Sequence, residues 1–526
     1  MNQQQPSKPM TQSARRWVLL IPLAACLLAL AGAWLRPVWH DELYTLALAR
    51  LPVNELLSAL VVDSGPPLHY LLCHLLFALV GWQEGSMLGI LMVRLPSVLA
   101  FAFIPWVVWK ARPVGGRGDM WGPLLVVTWL PLLYFGTEAR AYALLALVNA
   151  VLWILGPRWI ERGGRWIVCF AALAACLPLL HYTGAASLIA LPLLALFVTP
   201  GRRRTLMAAL AGATLPMVAW LPIMLGAPQA SMGWLATATG PGRPGFSTFS
   251  VLAPAGPFPG LFEVTTTPVS PWISLSILAV LFCGAAVGGR RLLSHSAADS
   301  RLLKKATRFG IGLLPAVALG LAALSGLPLY FAGRTESMVW ALAAALLAIL
   351  MCGLPSMARR IVAGSYLFAG LVTVSMWLVD LPSRPPAPGI EVGRVLTSMM
   401  EEGDRVVVAG LWQLEVRHGL AQGLLDGSAA TPVIVEVETV PRSQADHPGW
   451  LDREAAFSSE VFDEAAALSG SAAAKGSRIW LVWSPALPLE STFFPAFAGW
   501  HREKVAGSPI ITVDLLTPPA TEGGTS

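Results

Sequence analysis

Long apolar runs recur along roughly the first 380 positions of this 526-residue chain, and they limit the possible folds more than any other feature. Each run has about 17 to 25 residues, the length that a helix needs to cross a hydrocarbon core of about 30 Å. Only 13% of the residues are charged and 55% are hydrophobic, values that a soluble globular domain does not reach. The chain is therefore expected to be an integral membrane protein of the all-helical class.

Eleven membrane spans are predicted from these runs. The loops on one side of the predicted bundle hold 20 Lys and Arg and those on the other side hold five. Because positive charges collect in cytoplasmic loops, the N-terminus is expected inside and the end of the chain outside. The predicted spans cover residues 17–35, 88–109, 121–136, 142–160, 166–182, 184–199, 206–226, 271–289, 309–326, 336–354 and 361–379.

The apolar segment from Leu68 to Trp82 is short, and counting it as a span would invert the charge bias of every later loop. We interpret it as a surface-lying or re-entrant helix on the outer face. The first outer loop then runs from about residue 36 to 87. A second outer loop, about 227 to 270, is rich in Gly, Pro, Ser and Thr, which is typical of a lid or of a mobile linker.

Three regions are predicted along the chain: a transmembrane domain at 1–379, a Pro-rich linker at 380–390 and a soluble extracytoplasmic α/β domain at 391–526. In the last region apolar runs of helical and extended type alternate. Helices are predicted at 392–402, 414–425 and 452–468, and strands at 405–409, 432–440, 478–483 and 510–515.

Asp41 and Glu42 are adjacent carboxylates just beyond the first span. Acidic groups are costly near hydrocarbon, so such a pair indicates a functional site. Transfer to a hydroxyl or amine needs a carboxylate that takes the proton or orders the nucleophile. The alternative stays open that an interfacial helix simply exposes both acids to water.

Four motifs surround these acids in a fixed order: WHDE at 39–42, GPPLHY at 65–70, VRLPS at 93–97 and TEARAY at 137–142. Together they resemble the polytopic C-type glycosyltransferases, and within them the branch of protein O-mannosyltransferases and aminoarabinose transferases. The resemblance covers about the first 145 residues, with weaker similarity at His181-Tyr182 and at 328–334.

The resemblance implies transfer of a sugar from a polyprenyl-phosphate carrier to a lipid, glycan or protein acceptor on the outer face. It implies Asp41 as the catalytic base or orienting carboxylate, Glu42 as its catalytic neighbour, and Asp63 as the acid before the Pro-Pro pair. Gly65 departs from the family pattern, in which a His is usual, and this leaves the sugar undefined. Substrate-binding residues are predicted to be Asp63, His69, Tyr70, Arg94, Glu138, Arg140, Tyr142, His181, Tyr182 and Arg334.

The departing carrier phosphate is anionic and needs a cation near the outer interface. Arg140 and Arg334 are the candidates. A structural pair with Glu138 is favoured for Arg140, and phosphate contact is favoured for Arg334. Arg94 lies inside the second predicted span, where a buried Arg usually pairs with an acid, and Asp41 and Asp63 are its expected partners.

Other functions remain as alternatives. A transporter or flippase of lipid-linked sugars would use intramembrane charges as a path, and a non-enzymatic envelope assembly protein would act through the soluble region. No metal ligands are assigned, because the histidines lack the spacing of a helical metal pair, and a divalent cofactor is not required by the sequence. The expected partners are membrane lipid, the sugar donor and its acceptor, without nucleic acid, at the inner (plasma) membrane.

Overall fold

The structure is a computed structural model, and most of its residues are helical. It describes residues 12–519 apart from 64, 81–84, 112–119, 226–270, 295–296, 325–333, 410–411, 427–436, 441–459, 486, 488 and 508–509. The second outer loop, predicted at 227–270, lies outside the described residues.

Seventeen helices of the described chain precede the C-terminal segment. They are α1 (Gln12–Leu35), α2 (His40–Arg50), α3 (Val53–Asp63), α4 (Pro67–Val80), α5 (Met87–Ala111), α6 (Trp121–Val127), α7 (Leu130–Gly136), α8 (Tyr142–Arg162), α9 (Arg165–Leu180), α10 (Gly184–Ala190), α11 (Pro200–Leu225), α12 (Pro271–Ser294), α13 (Ala297–Gly312), α14 (Leu314–Leu324), α15 (Arg334–Ser337), α16 (Trp340–Met351) and α17 (Ser356–Asp380). Short 3-10 turns follow α10 at Leu191–Leu196 and α17 at Leu381–Ser383.

Five helical segments in the described part of the chain are long and apolar enough to cross a membrane. A sixth is added if α1 and α2 are counted as one broken span. The mostly helical class is confirmed, whereas eleven spans and the side on which each loop lies stay predictions. The five segments are Met87–Ala111, Tyr142–Arg162, Pro200–Ile223, Ser300–Leu324 and Ser356–Met399.

A bend of 99° separates α1 from α2. Pro37 explains it, because a proline disfavours helical backbone in the residue before it and offers no N–H to continue the helix. Trp39 then has extended backbone, with φ −132° and ψ 169°, and α2 begins at His40. The acids of the WHDE motif therefore fall in the first turn of α2, where the helix dipole favours negative charge.

The predicted span 121–136 is interrupted in the structure. α6 ends at Val127 and α7 begins at Leu130, with Thr128 donating its hydroxyl to the Leu124 carbonyl at 3.1 Å. The reason is Pro131 in the first turn of α7, because a proline cannot donate to the preceding turn and its ring clashes with the carbonyl four residues before it. The break directs α7 toward the loop that carries the TEARAY motif.

A five-stranded sheet lies near the C-terminal end of the chain. The elements of this segment are α18 (Pro388–Met399), β1 (Arg405–Ala409), α19 (Gln413–Leu425), β2 (Val437–Val440), α20 (Glu460–Lys475), β3 (Ile479–Trp483), α21 (Leu489–Thr492), a 3-10 turn (Phe494–Phe497), β4 (His501–Gly507) and β5 (Thr512–Thr517). The strand order is β2-β1-β3-β5-β4. Strand β1 pairs in parallel with β2 and β3, and β5 pairs antiparallel with both β3 and β4.

Apolar side chains cover both faces of this sheet, with α20 on one face and α18 and α19 on the other. The centre strand β3 is buried throughout, as expected for a strand between two helical layers. The apolar pattern did not predict β4, because β4 is an edge strand with exposed charged side chains at Arg502, Glu503 and Lys504. Charges on an edge strand protect it from pairing with other chains.

Candidate active site

Asp41 lies in the first turn of α2, facing two arginines. Its Oδ2 atom is 3.5 Å from a guanidinium nitrogen of Arg140 and 3.5 Å from one of Arg334. The Asp41 side chain keeps 24% of its surface exposed. Two guanidinium groups beside an accessible carboxylate can bind an anionic group such as a phosphate and place it next to a proton acceptor.

Glu42, the neighbour of Asp41, is fully buried and is bound by Arg94. Arg94 donates from Nε to Oε1 at 2.8 Å and from a terminal nitrogen to Oε2 at 2.6 Å. The remaining guanidinium hydrogens go to the carbonyls of Ala33, Arg36 and Pro37 at the bend. The expected pairing of Arg94 with Asp41 is wrong, because Asp41 and Glu42 point to different sides of α2.

The TEARAY loop is fixed to this pair through its main chain. The Ala139 N–H donates to Oε1 of Glu42 at 2.9 Å, and Thr45 donates to the Ala139 carbonyl at 3.1 Å. Ser97 of α5 donates to the Arg140 carbonyl at 2.7 Å. Three separate hydrogen bonds therefore set where the Arg140 side chain begins, relative to Asp41.

Aromatic rings surround the two cations that face Asp41. The Arg334 guanidinium lies 5.6 Å from the ring centre of Trp39 and 5.7 Å from that of Tyr142, distances at which a ring face attracts a cation. Arg140 donates to the Tyr70 hydroxyl at 3.5 Å. Residues from α2, α4, α8 and α15 thus meet at one place, although their motifs are far apart in the sequence.

Glu138 lies behind this arrangement and is buried. Its nearest cation is Arg36, at 3.9 Å, and within the described chain neither of its oxygens accepts a hydrogen bond. The predicted pair between Glu138 and Arg140 is wrong. The turn is closed by the Arg140 N–H on the Glu138 carbonyl at 2.8 Å, and side chains two positions apart in such a turn do not face each other.

The surroundings shift the pKa values of Asp41 and Glu138 in opposite directions. Burial alone would raise the pKa of Asp41, but Arg140 and Arg334 outweigh it, so this pKa lies below its ordinary value. Burial raises the pKa of Glu138 above its ordinary value despite the nearby arginines. The two arginines therefore keep Asp41 ionised at neutral pH.

His69 of α4 is buried against the main chain of Ala139. Burial, reinforced by the charge of Arg140, lowers the pKa of His69 from 6.5 to about 4. The imidazole is therefore neutral at pH 7 and carries no proton to the reaction there. Its place supports the loop that presents Arg140.

Acidification is expected to destabilise the protein through His69. Between pH 6.5 and about 4 the unfolded chain binds a proton at this residue and the folded protein does not, so stability is complete above this window and is lost as the pH falls through it. The loss amounts to about 3 kcal/mol, from roughly 1.4 kcal/mol for each pH unit. Thermal unfolding in lipid nanodiscs at a series of pH values measures it. His69→Gln should have a flatter profile, and equal slopes for both proteins would contradict the assignment.

The remaining predicted site residues are Tyr142, His181, Tyr182 and Asp63. The rings of Tyr142 and His181 lie side by side, with centres 5.1 Å apart, and Nδ1 of His181 is 2.9 Å from the Thr183 hydroxyl. Tyr182 follows in the same turn and is half-buried. Asp63 is the last residue of α3, and its side chain lies outside the described part of the structure.

Four contributors had not been predicted: Arg36, Thr45, Ser97 and Tyr134. Arg36 was counted only as an outer-loop charge, yet it donates to the Tyr134 hydroxyl at 2.7 Å beside Glu138. Its position one residue before the proline of the bend was the available signal. Thr45 offered none, because single hydroxyls are common in apolar helices. Ser97 ends the VRLPS motif, but the motif by itself assigns it no role.

No protein-family model and no curated protein matches this chain. Two crystal structures of ArnT from Cupriavidus metallidurans are similar to it. The apo structure is 12% identical, with a TM-score of 0.57, and the alignment covers 96% of this chain and 98% of ArnT. The structure bound to undecaprenyl phosphate is 13% identical, with a TM-score of 0.56 and coverage of 95% and 98%. The resemblance to the aminoarabinose-transferase branch is therefore confirmed at the level of the fold, which this chain shares with ArnT over almost its whole length.

Proposed function

We propose that this protein is a membrane glycosyltransferase that moves a sugar from a polyprenyl-phosphate donor to an acceptor on the extracytoplasmic face of the inner membrane. The observation that carries the proposal is the accessible carboxylate of Asp41, held 3.5 Å from both Arg140 and Arg334. The shared fold with ArnT, which has been crystallised with undecaprenyl phosphate, supports the same class of donor.

The charges of the site suit an anionic leaving group. Four arginines face three carboxylates, so the cluster has a net positive charge when all are ionised, and burial of Glu138 disfavours its negative form further. The cluster consists of Arg36, Arg94, Arg140, Arg334, Asp41, Glu42 and Glu138. A preorganised positive site stabilises charge that develops on a departing phosphate more than water does.

The proposed reaction is a single displacement with inversion at the sugar carbon. The hydroxyl or amine of the acceptor attacks C1, its proton passes to Asp41, and the bond between C1 and the phosphate oxygen breaks with its electrons going to the phosphate. Arg140 and Arg334 receive the polyprenyl phosphate so formed. Glu42 does not touch the substrate in this scheme and holds α2 and the TEARAY loop in place.

Binding of the donor is also expected to raise the pKa of Asp41, the proposed base. The two contacts of Asp41 with Arg140 and Arg334 are longer than ordinary hydrogen bonds, so an incoming phosphate competes for both cations. Their loss removes the interaction that lowers the pKa of Asp41, and burial then raises it. The carboxylate thus becomes a better proton acceptor when a donor is bound.

Purified protein in lipid, given a panel of radiolabelled polyprenyl-phosphate sugars, tests the proposal. Hexosyl and pentosyl donors belong in the panel because the class of sugar is not fixed by the site. Lipid, glycan and peptide fractions are then counted to identify the acceptor. Transfer from at least one donor is the expected result, and failure of every donor with a folded protein would contradict the proposal.

Arg334→Gln is expected to weaken binding of undecaprenyl phosphate by about 10- to 100-fold, since a hydrogen bond to a charged group contributes roughly 1.5–3 kcal/mol. Binding is measured on protein in detergent by native mass spectrometry. Arg384→Gln is the matched control, because Arg384 pairs with Asp380 at the end of α17, away from the cluster. Equal affinity for the variant and the wild type would remove Arg334 from the phosphate site.

A further inference from the structure

The helix that carries Asp41 is in contact with the C-terminal segment. Ile390 of α18 packs in one apolar cluster with Leu43 and Leu46 of α2, and Leu414 of α19 belongs to that cluster and to a second one around Tyr44. The C-terminal segment therefore contributes to the surroundings of the proposed active site.

The pair α18–α19 is packed closely enough to act as one unit. Each helix has two glycines four positions apart, at 389 and 393 in α18 and at 419 and 423 in α19. Gly393 and Gly419 face each other, while Gly389 lies against Glu415 and Gly423 against Thr397. A Cβ atom on Gly419 would lie 2.1 Å from the Ile390 carbonyl oxygen, and one on Gly393 would lie 2.4 Å from that of Val416. Such approach of two backbones is possible only where side chains are absent.

A buried carboxylate stands where this pair meets the start of α2. Glu415 of α19 is 3% exposed; its Oε2 accepts the Gly389 N–H at 3.0 Å, and its Oε1 lies 3.6 Å from Nδ1 of His40. His40 is the first residue of α2 and precedes Asp41. No side chain caps α2 at Trp39, so other groups must fix this helix end.

We infer that Glu415 is a positioning residue for Asp41, acting through His40 to hold the first turn of α2 against the C-terminal helix pair. A negative charge near a helix N-terminus is also favourable to the helix dipole. Arg94 of α5 and Ala139 of the TEARAY loop hold the residue after Asp41, Glu42. The first turn of α2 is thus fixed from two directions, one of them supplied by the far end of the chain.

The expected effect on turnover rests on the proposed transferase function, whereas the expected effect on the stability of α2 does not. Glu415→Gln keeps the size of the side chain and an acceptor for Gly389, but it removes the charge beside His40. Turnover is expected to fall about tenfold, with KM for the donor unchanged, because a misplaced base affects the transition state and not donor binding. Amide hydrogen exchange in residues 40–50 is expected to accelerate, with the other helices unaffected.

A double-mutant cycle with His40→Gln separates positioning from a general packing defect. If Glu415 acts through His40, the double variant loses no more turnover than His40→Gln alone. Asp426→Asn is the control: it removes an exposed carboxylate at the opposite, C-terminal end of α19, paired only with Arg394 among the described residues, and should leave turnover and exchange unchanged.

Two outcomes would overturn the inference. One is wild-type exchange in residues 40–50 of Glu415→Gln, which would show that the carboxylate does not hold α2. The other is faster exchange throughout the bundle, which would show a general loss of folding. If the wild-type protein transfers no sugar from any donor, the transferase proposal fails, and the exchange experiment still decides the role of Glu415.

Discussion

Asp41→Asn is expected to lower the turnover number of sugar transfer by about a thousandfold, within the 10²- to 10⁴-fold range of general acid–base catalysis. Asparagine has nearly the shape of aspartate, but it cannot take a proton at neutral pH. The Asp41 side chain is 24% exposed, and the buried Arg334 keeps its contacts with the rings of Trp39 and Tyr142, so the substitution should be tolerated by the fold. The effect should therefore appear in kcat and not in folding.

The measurement is single-turnover transfer from the active donor by protein in lipid, with donor affinity determined in parallel. Donor affinity should stay the same or rise, because the arginines that Asp41 holds become available to the phosphate. Asp426→Asn makes the same chemical change at an exposed ion pair and should keep wild-type turnover. Full turnover in Asp41→Asn would exclude Asp41 as the base and direct attention to Asp63.

The sequence predicts the helical part of the fold well because few backbone conformations are stable in the hydrocarbon of a membrane. A span of given length in lipid must satisfy its backbone internally, so long apolar runs become helices. The observed bounds of α5, at 87–111, and of α8, at 142–162, lie within two residues of the predicted ones. Breaks such as the one before Pro131 were less visible, because proline is tolerated in some positions of apolar helices, as it is in α5.

The sequence predicts the candidate site in outline and not in detail. Adjacent acids stand out in an apolar chain, and so Asp41 and Glu42 could be singled out. Their division into one accessible and one buried carboxylate depends on the 99° bend, which turns α2 across the end of α1. A period of 3.6 residues places neighbours about 100° apart on a helix, but it does not say which of them faces inward.

Contacts between distant parts of the chain were beyond prediction from one sequence. Arg94 could be expected to need an acid, yet its partner is Glu42 and not Asp41 or Asp63, the two expected candidates, because the packing of α5 against α1 and α2 decides the pairing. The contact between Glu415 and His40 joins two segments that are separated in the sequence by the helices of the bundle. Local pattern carries no information about such a pair, because the pair forms only after both segments have folded.

Glu42→Gln is expected to destabilise the protein by about 3–5 kcal/mol, the cost of removing one partner of a buried ion pair. Arg94 is fully buried, and without the carboxylate its charge keeps only the carbonyls at the bend. The Ala139 N–H also loses a charged acceptor. The midpoint of thermal unfolding in nanodiscs should therefore fall much further than in Asp41→Asn.

Replacing both partners separates a structural role of Glu42 from a catalytic one. The double variant Glu42→Gln, Arg94→Met removes the buried charge that the single variant leaves without its carboxylate, so its thermal midpoint should recover part of the loss. The amide oxygen of the glutamine can still accept the Ala139 N–H. If Glu42 only positions α2, turnover recovers together with the midpoint. If the midpoint recovers while turnover stays as low as in Asp41→Asn, Glu42 takes part in the chemistry, as the sequence motif first indicated. Because the two adjacent acids differ in burial, these two comparisons assign a separate role to each.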